Sequence, residues 1–412
     1  MVLSFIVLLA IKKMTGLRVT EEEEVGYSSE NASLMNIATA EVGVLNLLSS
    51  AMVDLNAATN VYELRLHRDA WQSLWQRELQ RIDVLDWNQQ LNQWHDALIA
   101  ETIRMSERQL EQEGWGTPPS RYAFVLFGSG GRGEQAMWSD QDHGLIMEDS
   151  TDPKATEYFM RLTNLIVDQL IVLGFPRCKG EVLSNNPLWC KTLQGWEEQL
   201  TTWMNDLSWE NVRYLLIMAD MRRIYGDEGL VLACRYMYTR LLEQSPCIGE
   251  AMLRNTLFYK ASVNHFGQII RERFGEFAGG VNLKYGAYIP LVNGIRYLAL
   301  TSQSNPTDSG VHVPLQVFEQ TSTWQRIQSL QHSNQKFKEL IDRCEATFKS
   351  VLLRRAGIPF VMEEGQYVSH GYIEEYDLTR EVARALKQEL QVVHQLQRHL
   401  NKQIRIQLRN ER

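Results

Sequence analysis

The stretch FVLFGSGGRGEQAMWSDQDHGLIMED, residues 124–149, constrains the fold more than any other part of the chain. Two short apolar runs, YAFVLFG and HGLIMED, read as neighbouring or antiparallel strands, and only a glycine-rich turn and a polar linker separate them. Gly128, Gly130 and Gly133 satisfy the spacing G-x-G-x-x-G, and Asp149 stands near the distance of a ribose-binding acid. A dinucleotide fold, however, needs a helix after the loop that is long enough to cross back over the sheet. The linker EQAMWSDQDHG is too short and too polar for that crossover. A Walker loop fails because no Gly-Lys-Ser/Thr follows.

The other reading starts from Asp140 and Asp142. Residues two apart on a strand share a face, so these carboxylates are expected side by side, where they can hold a divalent cation through hard oxygen ligands. Gly128 and Ser129 form a turn whose N–H groups and hydroxyl can hold phosphates, and glycine lets the backbone come close to them. An isolated Asp-x-Asp is usually an ordinary acidic turn. Here it follows Gly-Ser by ten residues, with Arg132 and Glu134 between and an apolar run on each side, and each part meets a separate requirement of phosphoryl chemistry.

GSGGRGEQ followed by SDQDHGLI resembles the nucleotidyltransferase-like domain often attached to CBS or cyclic-nucleotide-binding sensor domains and related to the N-terminal part of protein-PII uridylyltransferase. LNQWHDALIAETIRMSERQLEQEG, PPSRYAFVLFGS, GFPRCKGEVLSNNPLW and MADMRRIYGDEGL resemble the same family in the same order, so the likeness covers residues 60–300. It implies an α+β chain, in which a polymerase-beta-like nucleotidyltransferase domain is flanked by helical regions. Carried over by position, Gly128 and Ser129 hold the nucleotide phosphates, assisted by Arg132 and Glu134, while Asp140 and Asp142 ligate Mg²⁺ or Mn²⁺.

The fold also implies a third carboxylate on a neighbouring strand. Asp220, after the apolar run YLLIM, is the candidate; pairing with Arg222 or Arg223 at a helix end is its alternative. Asp227 is the competitor, although an acid in the YGDEG turn suits a helix cap better. VNLKYGAYIPLVNGIRYLAL resembles, more weakly, the lysine-and-glycine segment of the uridylyltransferases, which makes Lys284 either a phosphate contact or a surface lysine. The chain departs from the relatives there, lacking their glycine run and Arg-Asp, and no second catalytic domain, HD-type metal motif or ligand-sensing module is recognisable. The implied activity is Mg-dependent transfer of a nucleoside monophosphate from an NTP to a hydroxyl acceptor, such as one on a regulatory protein. A non-catalytic nucleotide sensor is the alternative.

The organisation expected along 412 residues is a leader over 1–33, a helical region over 34–117, the nucleotidyltransferase-like domain over 118–230 and a helical domain over 231–412. Leu91, Trp94, Leu98 and Ile99 carry the helical spacing of the second segment. The final LTREVARALKQELQVVHQLQRHLNKQIRIQLRNER reads as one long basic helix, either a solvated face over a packed apolar stripe or a partner contact. A formal charge of −8 argues against general nucleic-acid binding. Five scattered cysteines without CxxC spacing suit reduced thiols in a cytoplasm. The apolar start MVLSFIVLLA is too short to span a bilayer, and its lysines follow the apolar run instead of preceding it.

Overall fold

A computed structural model describes residues 47–245, 247–301, 320–333 and 337–410. The expected leader over 1–33 lies outside these residues. The chain opens with three helices, α1 (Leu47–Ala57), α2 (Val61–Glu78) and α3 (Val84–Gln112). Asn60 caps α2 by accepting from the Tyr62 and Glu63 N–H groups, and the Glu63 carboxylate reaches back to the Thr59 N–H. Asp83 starts α3, whose Trp87, Leu91, Trp94 and Leu98 recur every three or four residues and are fully buried.

Strand β1 (Tyr122–Leu126) follows, then one helical turn, α4 (Gly128–Gly131), and β2 (His143–Met147). The two strands are antiparallel, with Tyr122 opposite Met147 and Leu126 opposite His143. Helix α5 (Pro153–Val172) leads to β3 (Cys190–Thr192), then α6 (Leu193–Asn205), α7 (Trp209–Met218), β4 (Arg222–Gly226) and α8 (Glu228–Gln244). The sheet order is β3-β2-β1-β4, with β3 parallel to β2 and β4 antiparallel to β1.

Alternation along β1 explains why it is central. Tyr122, Phe124 and Leu126 join the apolar cluster formed with α2, α3 and α5, while Ala123 and Val125 join the cluster that includes α6, α7 and α8. The sheet is thus covered by helices on both faces, which is why YAFVLFG reads as an unbroken apolar run.

The remaining elements are mostly helical: α9 (Ile248–Thr256), β5 (Val281–Asn282), a π turn (Lys284–Tyr288), α10 (Ile289–Thr301), α11 (Thr323–Ser333) and α12 (Lys338–Gly357), then β6 (Val361–Glu363), β7 (Gln366–Val368), β8 (Tyr372–Ile373) and α13 (Arg380–Asn410). Leu386, Leu390, Val393, Leu396 and Leu400 make the buried stripe of α13, and the Arg354 guanidinium of α12 pairs with Glu389 on α13. The packed-stripe reading of the basic C-terminal segment therefore describes its inner face. No helix among the described residues is long and apolar enough to cross a membrane.

One expectation is corrected. The run before Asp220 is helix α7, not a strand: Val212, Leu215, Leu216 and Met218 are buried at helical spacing, and the strand beside β1 begins two residues after Asp220.

Candidate active site

The polypeptide leaves β1 through Phe127, whose N–H donates to the Asp142 carbonyl at 2.9 Å, so the β1–β2 ladder carries on past the strand ends to Asp142. Asp140 and Asp142 are not on a strand, as the two-residue alternation supposed: they precede β2, in the irregular segment leading into it. The turn α4 begins at Gly128, with φ of +52°, a conformation in which a side chain is strained. A Cβ built on Gly128 would lie 2.4 Å from Asp142 Oδ2, so the absence of a side chain is what admits the carboxylate against the turn. The N–H groups of Gly131, Arg132 and Glu134 are used inside the loop, by the carbonyls of Phe127, Gly128 and Ser129. Those of Gly128, Ser129 and Gly130 stand outside that set, at the N-terminal end of the turn, where Gly128 meets the Asp142 carboxylate.

Burial, and then the Asp140 charge, push the Asp142 carboxyl up to about 7 from an ordinary 3.8. A hydrogen bond from Cys178, then the charges of Lys284 and Arg132, oppose this shift without cancelling it. Two crowded acids of this kind favour a cation between them. Behind them, the His143 Nδ1 accepts from the Ser184 N–H, which leaves Nε2–H to donate to Gln141 Oε1 at 3.0 Å. Burial holds that imidazole neutral, with its pKa down to about 3. His143 therefore stiffens the segment and carries no charge.

The Gly-Ser turn is braced from outside by a pair that sequence reasoning missed. Arg222 Nη2 donates to the Gly130 carbonyl at 2.7 Å while the same guanidinium grips both oxygens of Asp96 on α3. Gly131 passes so close to α7's end that a Cβ there would lie 2.0 Å from the Asp220 carbonyl.

Asp220 itself does not join Asp140 and Asp142 as a ligand. It is fully buried and its carboxylate accepts from Arg132 at 2.6 Å, from Arg326 at 2.8 Å and from two nitrogens of Arg296. Burial alone would raise this acid; Arg296, Arg132 and Arg326 outweigh it and hold it well below the usual carboxylate range. With both oxygens engaged by guanidinium groups, the carboxylate has no free direction for a metal ion. Arg222 and Arg223, the alternative partners expected from sequence, are not the ones used. Asp227 caps α8 by accepting from the Leu230 N–H.

Arg132 and Glu134 are also withdrawn from the nucleotide. Both are buried, they pair with each other at 2.9 Å, and Glu134 accepts from the Tyr288 hydroxyl and the Thr323 N–H. The polar signal between Gly-Ser and Asp-x-Asp thus belongs to a buried contact with the C-terminal helices. Arg296 carried a hint of this, being a lone charge within the apolar run of GIRYLAL. Lys284 is half-buried on the π turn and its charge bears on Asp142.

Two family models match the chain. One, described as Putative nucleotidyltransferase DUF294, covers residues 70–210, which contain the Gly-Ser turn, Asp140 and Asp142. The other, described as Putative nucleotidyltransferase substrate binding domain, covers residues 248–309 and 315–404. The chain carries both domains of the DUF294 family. No curated protein matches it. The DUF294 domain supplies the turn and the two carboxylates, and its companion domain supplies Lys284, Tyr288, Arg296 and Arg326. The family implies an NTP and a second substrate.

The two carboxylates fit a divalent cation: they are hard oxygen donors, one of them raised by burial and then by the charge of the other, with a turn against Asp142 that a Cβ would fill. Among the described residues no set of three His, Cys, Asp or Glu side chains is placed to hold a metal. Mg²⁺ suits a site of this composition, since it commonly binds through one or two carboxylates together with substrate phosphates and water.

Proposed function

We propose that the protein transfers a nucleoside monophosphate from an NTP to a hydroxyl acceptor. The observation that carries this reading is the Asp142 carboxylate seated against Gly128, with its carboxyl raised to about 7 by burial and then by the Asp140 charge. In this reading Gly128 and Ser129 receive the triphosphate, Lys284 approaches it from the companion domain, and Asp140 and Asp142 hold Mg²⁺ or Mn²⁺. The bound cation would offset charge on the phosphoryl group being transferred. The chain's own residues fix geometry: Arg222 holds the turn through Gly130, and His143 with Gln141 fixes the segment that carries both acids. The acceptor oxygen bonds to the α-phosphorus as the bond from that phosphorus to the α–β bridging oxygen breaks; the hydroxyl gives up its proton to solvent, and pyrophosphate leaves with the electron pair of the broken bond. By likeness to the protein-PII uridylyltransferases, the acceptor hydroxyl belongs to a regulatory protein, and the setting is signal transduction in the cytoplasm.

A second reading is favoured by one observation, the commitment of Asp220 to three arginines. A nucleotide sensor needs only the turn and the paired acids, with occupancy relayed through the companion domain. Incubation with each α-labelled NTP, Mg²⁺ or Mn²⁺ and a lysate of the source cell separates the two. Label transferred to a protein, with pyrophosphate released, supports transfer. Metal-dependent NTP binding without label in any fraction supports the sensor.

A further inference from the structure

The π turn Lys284–Tyr288 is fixed from four directions. The Tyr285 N–H donates to Asn282 Oδ1 at 2.8 Å, the Gly286 carbonyl accepts from the Ser262 N–H at 2.9 Å, and the Gly371 carbonyl accepts from the N–H groups of Leu283 and Lys284. The fourth tie runs to the other domain. The Tyr288 hydroxyl donates to Glu134 Oε2 at 2.8 Å and accepts from Arg132 Nη2 at 3.1 Å, in the segment that follows the Gly-Ser turn. The Arg355 guanidinium lies 4.5 Å over the Tyr288 ring and donates to the Glu134 carbonyl.

A π turn is uncommon and is often found where function requires a local widening of the helix. Its bond from the Ile289 N–H to the Lys284 carbonyl sets Lys284 one turn before Tyr288 on the same side. One end of the turn is therefore clamped to the residues just after the phosphate turn, and the other end carries a lysine whose charge bears on Asp142. Lys284 forms an ion pair with no carboxylate among the described residues, and its ammonium lies 5.7 Å from the Tyr285 ring centre. A half-buried lysine on a turn clamped to the segment just after the phosphate turn, with no ion pair to a carboxylate among the described residues, is suited to a polyanion that reaches that turn together with a cation.

We infer that Tyr288 is a positioning residue that sets Lys284 against the triphosphate of a bound NTP, so that the nucleotide site is completed by the companion domain. The inference rests on the nucleotide site proposed above. Tyr288 acts through its hydroxyl, which fixes the far end of the turn to Arg132 and Glu134, and through the stiffness that the other three ties give the turn between them.

The test is calorimetric titration of the full chain with ATP, GTP, CTP, UTP and tripolyphosphate in Mg²⁺, using Lys284→Met, Lys284→Arg, Tyr288→Phe and the Lys284→Met/Tyr288→Phe double variant. Losing one charge-assisted contact should weaken binding about tenfold. Lys284→Met and Tyr288→Phe are each expected to show that loss, for tripolyphosphate as well as for the NTPs. The double variant should be no weaker than the weaker single variant, because both changes disable one contact. Lys284→Arg should keep most of the affinity. Unchanged affinity in Lys284→Met overturns the inference, as do losses that multiply in the double variant. A Tyr288→Phe protein with a lower Tm but intact affinity also overturns it, since the hydroxyl would then be purely structural. Binding that responds to Asp142→Asn and to EDTA but not to Lys284→Met removes this inference alone. A wild-type protein that binds none of the probes removes the nucleotide site itself, and this inference with it.

Discussion

Gly128 and Asp142 occupy one another's space, and each makes a separate prediction. Gly128→Ala combines a left-handed backbone, which costs a residue with a side chain roughly 1–2 kcal/mol, with a Cβ driven into Asp142 Oδ2. Gly133→Ala is the matched control, since Gly133 has φ of +64° but open space around its Cβ position. Both variants should lose a few degrees of Tm in a thermal melt, while only Gly128→Ala should also lose Mg²⁺-dependent NTP binding, by about tenfold or more. Asp142 makes a prediction about pH. Its native carboxyl keeps a proton up to about 7, whereas the unfolded chain releases it near 3.8. Folding therefore takes up a proton between those values, and the contribution of this group to stability falls as pH rises through them. Asp142→Asn removes that loss. Without metal, the variant should melt above wild type at pH 8, by at most roughly 4 kcal/mol at about 1.4 per pKa unit, and the gap should close below pH 4. A variant less stable than wild type at pH 8 would falsify the description of Asp142 as an acid raised by burial and by the Asp140 charge.

At the scale of elements, the helices of the companion domain pack closely enough that single methyl groups matter. A Cβ on Gly294 of α10 would lie 2.7 Å from Leu396 Cδ2 on α13. Gly294→Ala should wedge these helices apart at a cost of about 1–3 kcal/mol, measurable as a lower urea midpoint with an unchanged slope. What the sequence reveals about elements depends on whether a pattern is local. The α3 stripe, the β1 and β2 runs and the buried face of α13 repeat every two to four residues and are legible. Helix α7 is less so, because the apolar run of YLLIM suits a buried strand as well as a helix. Strand β4 escapes notice because RRIYG lies at the sheet edge, where charged side chains are common and only one neighbour buries it. The site divides in the same way. Gly-Ser and Asp-x-Asp lie within fifteen residues and are readable together, whereas the partners of Asp220 stand 76, 88 and 106 residues away and leave no local trace.

For the whole molecule, the Asp220 cluster is the joint between the domains. Arg132 comes from the loop after α4, Asp220 from the end of α7, and Arg296 and Arg326 from α10 and α11. Removing the carboxylate leaves buried guanidinium groups without their counter-charge, a change that typically costs about 3–5 kcal/mol. Asp220→Asn should therefore lower Tm far more than Asp142→Asn at any pH, a contrast that differential scanning calorimetry reads directly. The same joint bears on how such a chain could be rebuilt. Its nucleotidyltransferase-like half is not an interchangeable cartridge: anyone transplanting residues 118–230 into another architecture would keep the Arg132–Asp220 pair but strip Asp220 of Arg296 and Arg326 and open that buried pair to water, and would have to graft α10 and α11 along with them.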